Sequence, residues 1–116
     1  MTNLSKINEL SSYKSSFVLN LLKRYQPLIE TVLLAIHQNA DGRDLRKIYD
    51  ALHKMKPNLE LIGATDAHQL GLLLEKQCKN DSDKTDEFVN QLKIYHEKLA
   101  LLSDEIDQLI LNLEAK

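Results

Sequence analysis

The sequence predicts an all-α protein, an antiparallel four-helix bundle with a short additional N-terminal helix. Three observations lead to this fold class. The 116 residues include three glycines and two prolines, and β-branched residues never cluster into strand-length runs. Apolar residues recur every three or four positions, which is the spacing of one helix face. A chain of this length supports one core, so residues 1–116 are expected to form a single domain.

The first part of the chain predicts two helices. A short opening helix is indicated by apolar residues at every third position, Leu4, Ile7 and Leu10. A long helix is expected over about residues 14–38, with an apolar stripe made of Val18, Leu22, Tyr25, Ile29, Val32 and Ile36. Pro27 lies inside this stretch, where it should remove one backbone hydrogen bond and kink the helix rather than end it.

Three further helices are predicted downstream. One carries a stripe from Leu45 to Ile62 and ends at Gly63. A shorter one should run from an N-cap at Asp66 to Lys79, with an inward face of Ala67, Leu70, Leu73 and Leu74. The last has the longest stripe, from Phe88 to Leu113. A coiled-coil dimer built on this last helix is an alternative, but the broad stripe over residues 14–38 favours an intramolecular core and a monomer.

Composition narrows the class of protein. The net charge of −2 argues against broad nucleic-acid binding, which needs a strong cationic surface. A single cysteine, Cys78, excludes an internal disulfide and is typical of a reducing cytosol. The N-terminus lacks the apolar core of a signal peptide, and no apolar run approaches the ~18 residues of a membrane span. We therefore expect a cytoplasmic protein without a membrane segment.

Motifs of nucleotide-binding and hydrolytic enzymes are absent from the sequence. It contains no glycine-rich phosphate loop, no G-x-S-x-G, no H-E-x-x-H and no paired cysteines. An ATP site is therefore not expected. His37, His68 and His96 fall on different predicted helices without ligand spacing, so no metal site is expected either.

One histidine occupies a distinctive position. At 100° per residue, His53 lies roughly 130° from the centre of the apolar face between Leu52 and Leu59, and it should therefore face solvent. Residues 43–56 contain five Lys and Arg but two Asp, so this stretch has a net charge of +3. Such a patch could stabilise a phosphoryl group or attract an acidic partner. On these grounds alone, an exposed helical histidine is most often only a solvated residue.

The stretch ALHKMKPNLELIG, followed by LGLLLE, resembles the signature of histidine-containing phosphotransfer (HPt) domains. The residues that carry the resemblance are Ala51, Leu52, His53, Lys56, Gly63, Leu74 and Glu75. It spans about residues 4–113 and implies the same four-helix bundle. The chain departs from the family at Pro57, where a small residue, most often glycine, is usual. We expect Pro57 to bend the helix locally while leaving the imidazole accessible.

The resemblance implies a two-component phosphorelay intermediate, not a kinase. His53 would accept a phosphoryl group from a receiver-domain aspartate and pass it to another receiver. Lys56 would steady the phosphoryl oxygens and Glu75 would orient the imidazole. The implied partners are response-regulator receiver domains, a hybrid histidine kinase, or both. Mg²⁺ is expected on the receiver alone, so this chain needs no cofactor.

The surface around His53 is the expected docking site for a receiver. Its members are Arg46, Tyr49, Lys54, Pro57, Glu60 and Gly63. Two other functions stay open. A non-transferring adaptor of the same fold would bind receivers or a kinase without accepting phosphate, and a more distant alternative is an oligomerisation bundle driven by the last helix.

Overall fold

The computed structural model describes residues 15–41, 44–79 and 86–115. Within these ranges the chain forms four α-helices and no β-strand: α1 (Ser15–Gln38), α2 (Leu45–Ile62), α3 (Thr65–Lys79) and α4 (Asp86–Glu114). Each helix packs against the next, and α4 packs back on α1 to close an antiparallel four-helix bundle. The predicted all-α bundle is confirmed. The predicted opening helix, at residues 4–10, lies outside the described residues.

The apolar stripes form a single core along the bundle axis. All six residues of the predicted α1 stripe are buried. In α4, every residue of the predicted stripe from Phe88 to Ile106 is buried as well. Removing each such side chain from water contributes about 1.5–3 kcal/mol to folding. Leu109 and Leu113 are only half-buried. They lie in the last turns of α4, which has 29 residues, whereas the neighbouring α3 has only 15.

The inward face of α3 differs from the prediction. Leu73 is exposed to 43%, and Gly71 and Glu75 face the core instead. A Cβ at position 71 would lie 3.1 Å from Cε1 of the buried Tyr95, so the glycine lets α3 approach α4 closely. The prediction for Leu73 was wrong because it counted only apolar residues, whereas a glycine and a carboxylate hold two of the inward positions.

The connection between α2 and α3 is a tight helical hairpin. Gly63 ends α2 in the left-handed conformation, with φ 77°, and its N–H donates to the carbonyl of Glu60 at 3.2 Å. The N–H of Ala64 donates to the carbonyl of Leu59 at 2.9 Å. Helix α3 then begins at once, at Thr65. The predicted N-cap at Asp66 was therefore wrong, because this residue already lies in the first turn of the helix.

Both prolines lie inside helices that continue past them. Pro27 is within α1 and Pro57 is within α2, as predicted. At the start of α2, Asp44 is the N-cap, and its Oδ1 accepts a hydrogen bond from the Lys47 N–H at 3.1 Å. Among the helices of the described ranges, none is long and apolar enough to cross a lipid bilayer.

Candidate functional site

His53 projects from the outer face of α2. The inner face of this helix is occupied by apolar residues that recur at helical spacing, Ile48, Ala51, Leu52, Met55, Leu59 and Ile62. His53 falls between them on the opposite side, and its side chain is 63% exposed. The prediction that His53 faces solvent is confirmed.

The α2–α3 hairpin places Glu75 directly beside His53. The Glu75 side chain is only 8% exposed, and it is the one buried charged side chain among the described residues. Its Oε1 lies 3.0 Å from Nδ1 of His53, and its Oε2 lies 3.8 Å from Nζ of Lys56. A buried carboxylate is costly unless it is paired, and these two contacts provide the partners.

The contact with Glu75 determines which nitrogen of His53 is free. An ionised carboxylate has no hydrogen to donate, so Nδ1 must carry the proton and donate it to Oε1. In the neutral imidazole, Nε2 is then unprotonated and keeps an in-plane lone pair. Because the ring is largely exposed, this arrangement presents a nucleophilic nitrogen to a partner that approaches from solvent.

The charge of Glu75 also affects its buried neighbours. Burial raises the pKa of the Cys78 thiol to about 11, and the negative charge of Glu75 adds to the rise. The same two causes, in the same order, raise the pKa of Tyr95. Cys78 is therefore a protonated thiol at neutral pH.

An aromatic residue and a second lysine border the histidine on the side of the α2 N-terminus. The Tyr49 ring stacks on the His53 ring with centroids 5.6 Å apart and an interplanar angle of 14°. Nζ of Lys79, from the last turn of α3, lies 5.6 Å from the centroid of the Tyr49 ring. A groove of about 520 Å³ opens beside Tyr49, and its remaining lining residues are Leu45, Arg46, Asp50, Cys78 and Lys79.

The other residues predicted for docking are distributed unevenly. Lys54 and Pro57 are exposed on α2 next to His53, and Arg46 is exposed at the groove. Glu60 is exposed further along α2 and lies 3.9 Å from Nε2 of His68. Gly63 is buried at the helix end, where it closes the hairpin. The docking roles of these residues stay predictions.

Several contacts were not predicted from the sequence. The Tyr49–His53 stack has a signal, because residues four apart lie on one helix face. The approach of Lys79 and the His68–Glu60 contact depend on the register of the hairpin, which the sequence pattern does not show. His37 and His96 approach each other across α1 and α4, with ring centroids 6.2 Å apart. Among the described residues, no three His, Cys, Asp or Glu side chains are grouped to hold a metal ion.

Comparison with known protein families identifies the family of this chain. The family model of the Hpt domain matches residues 20–115, which is most of the chain. The chain belongs to the Hpt domain family. Comparisons with curated proteins and with solved structures give no match.

Membership in the Hpt family gives the chain a general function. Hpt domains carry out histidine phosphotransfer in phosphorelays and have no catalytic kinase activity of their own. Their partners are receiver domains and kinases of those relays.

Proposed function

We propose that this Hpt domain accepts a phosphoryl group on Nε2 of His53 from a receiver aspartate and passes it to a second receiver. The observation that carries the proposal is the His53–Glu75 contact: Nδ1 is bound at 3.0 Å to a buried carboxylate, while the ring itself is exposed. The arrangement leaves the second nitrogen free for in-line attack on phosphorus.

The transfer step uses three side chains. Nε2 forms a bond to phosphorus while the phosphorus–oxygen bond of the aspartyl phosphate breaks, and the aspartate carboxylate leaves with the electron pair. The proton on Nδ1 stays in place, so the phosphorylated ring becomes cationic, and the Glu75 carboxylate stabilises it. Lys56 is near enough to Glu75 to exchange that contact for the phosphoryl oxygens.

We place the docking surface on the exposed side of α2 around His53. Arg46, Tyr49, Lys54, Pro57 and Glu60 belong to it, whereas the buried Gly63 acts through the hairpin. Mg²⁺ would be held by the receiver alone, and this chain would act as a cytoplasmic monomer.

Phosphotransfer from a labelled receiver tests the proposal. We expect label to move from ³²P-phosphorylated receiver domains to this chain, to resist alkali, to be lost in acid and to be absent in His53→Gln. His68→Gln is the matched control and should accept label normally, because His68 has a mostly buried ring. Label on the His53→Gln variant would contradict the proposal.

Pro57 provides a second arm of the same experiment. If receivers bind the wild-type chain but do not transfer, and Pro57→Gly restores transfer, then Pro57 closes the site in the natural protein. Binding without transfer in both chains would favour the adaptor function instead.

A further inference from the structure

The Tyr49 ring contacts two side chains, His53 and Lys79. It lies one turn before His53 on α2, is itself half-buried, and lines the groove beside Cys78 and Lys79. The Lys79 ammonium lies 5.6 Å from the ring centroid, within the range of a cation–π contact. The Tyr49 ring also stacks on the His53 ring, with centroids 5.6 Å apart at 14°, a separation at which near-parallel aromatic rings attract each other.

The stack and the hydrogen bond restrain different movements of the same ring. The hydrogen bond from Nδ1 to Glu75 fixes one atom of a ring that is attached at Cβ, and small coupled rotations about the Cα–Cβ and Cβ–Cγ bonds still tilt the ring plane. A stacked neighbour restrains that tilt. Since the Nε2 lone pair lies in the ring plane, the two contacts together narrow its direction before a partner arrives.

We propose that Tyr49 is a positioning residue for phosphoryl acceptance by His53, acting through the ring stack and not only through docking. This inference rests on the proposed function. Phosphorylation of Nε2 with the Nδ1 proton retained makes the imidazole ring cationic, and a cation is attracted to the negative face of an aromatic ring. The stack therefore stabilises the phosphorylated ring more than the free ring.

Small-molecule phosphorylation separates positioning from docking. Phosphoramidate transfers its phosphoryl group to histidine with release of ammonia, so no receiver surface is involved. We expect Tyr49→Leu to slow labelling of His53 about fivefold, and Tyr49→Phe, which keeps the ring, to stay within twofold of wild type. Lys47→Gln, at an exposed position of the same helix that lies outside the proposed docking surface, should also react at the wild-type rate. Wild-type labelling of Tyr49→Leu would overturn the inference.

Ring-current shifts provide a readout that is independent of any reaction. The carbon-bound protons of the His53 ring should resonate upfield in wild type and in Tyr49→Phe, and should move downfield in Tyr49→Leu, while circular dichroism shows the same helix content in all three. Unchanged shifts in Tyr49→Leu would mean that the rings do not stack in solution and would overturn the inference.

Transfer from a phosphorylated receiver completes the design. Tyr49→Leu should lower the maximal transfer rate at saturating receiver, and any rise in the half-saturating concentration would report the docking contact of Tyr49. A raised half-saturating concentration with a wild-type maximal rate would assign Tyr49 to docking alone and overturn the inference. If phosphoramidate labelling and ring-current shifts behave as expected and no receiver transfers, the proposed function fails while the role of Tyr49 in ring position stands.

Discussion

The α2–α3 hairpin contains two histidine–glutamate pairs of opposite design. His53 on α2 faces Glu75 on α3; seven residues further along α2, Glu60 faces His68, which lies seven residues earlier on α3. The two pairs therefore share one hairpin register. In the first pair the histidine is 63% exposed and the carboxylate 8%; in the second the histidine is 19% exposed and the carboxylate 67%.

This inversion separates the exposed histidine, which we propose as the phosphoryl acceptor, from a mostly buried one. Glu75 is buried and fixed, so it can hold Nδ1 of an exposed ring at hydrogen-bond distance. In the second pair, the nitrogen that faces the carboxylate is Nε2 of His68, at 3.9 Å. That nitrogen is buried and has no hydrogen-bond partner among the described residues. The same two residue types at the same register thus produce a free nucleophile only where the carboxylate is inside and the histidine is outside.

Truncation of each carboxylate in turn should give the largest difference in transfer rate between the two pairs. Without Glu75, His53 loses the partner that selects its tautomer, and we expect Glu75→Ala to slow transfer roughly 100-fold. Glu60→Ala should leave the transfer rate at saturating receiver within about twofold, since surface ion pairs contribute little and a lost docking contact changes the half-saturating concentration instead. Stopped-flow or quench assays with a phosphorylated receiver measure both. Equal losses in the two variants would show that the buried position of Glu75 has no special role.

Removal of Lys56, which also contacts Glu75, is expected to have the next largest effect on the transfer rate. Lys56→Gln removes the charge available to the phosphoryl oxygens, and transfer should slow about tenfold. Lys47→Gln is the matched control, because Lys47 pairs with the exposed Asp44 at the start of α2. A general effect of positive charge would instead slow both variants alike in the same assay.

The hairpin that sets the register of both pairs can be weakened at Gly63. An L-residue in the left-handed conformation costs about 1–2 kcal/mol, so Gly63→Ala should lower the free energy of unfolding by that amount. Leu61→Ala, at an exposed position of the same helix, should change it by less than about 0.5 kcal/mol. Urea unfolding followed by circular dichroism gives both values, and equal stability of the two variants would refute this role for the glycine.

The smallest expected effect is on the Cys78 thiol. Glu75→Gln should lower the pKa of Cys78 below about 11 yet leave it above its ordinary value of 9.0, because burial is the larger cause of the rise. Glu60→Gln should not move it. Thiolate absorbance or the pH profile of alkylation measures the shift. An unchanged pKa in Glu75→Gln would mean that the carboxylate exerts no field in the core.

The raised pKa also has a consequence for stability. Between about pH 9 and 11 the unfolded chain loses the Cys78 proton while the folded chain keeps it, so unfolding becomes easier as pH rises through this window. Cys78→Ala should therefore lose less stability over that range than wild type does. A steeper loss in the variant would contradict the sign of this linkage.

Much of the fold was predictable because apolar spacing is a property of single helices. The α1 stripe is buried as predicted, as are the α2 stripe from Ile48 to Ile62 and the α4 stripe from Phe88 to Ile106. The outward position of His53 follows from the same geometry. The inward face of α3 was not predictable from apolar residues alone. Which residues of α3 face inward depends on the close approach of Gly71 to Tyr95 and on the burial of Glu75 against its partners on α2. Both are properties of pairs of helices, not of a single helix.

The residues of the site were predictable from the sequence, but several of the contacts between them were not. The family resemblance named His53, Lys56 and Glu75, and the structure brings these three side chains together. The role of Lys79 could not be predicted, because its distance from Tyr49 depends on how α3 lies against α2. The inverted His68–Glu60 pair was missed for the same reason.

Glu75, we propose, holds Nδ1 of His53 and leaves Nε2 as the acceptor. The most direct test is ³¹P and ¹H–¹⁵N NMR of the ¹⁵N-histidine-labelled chain after transfer from a phosphorylated receiver. We expect one phosphoryl group, bonded to Nε2 of His53, with the Nδ1 proton retained. A phosphoryl group on Nδ1 of His53, or on His68, would contradict it.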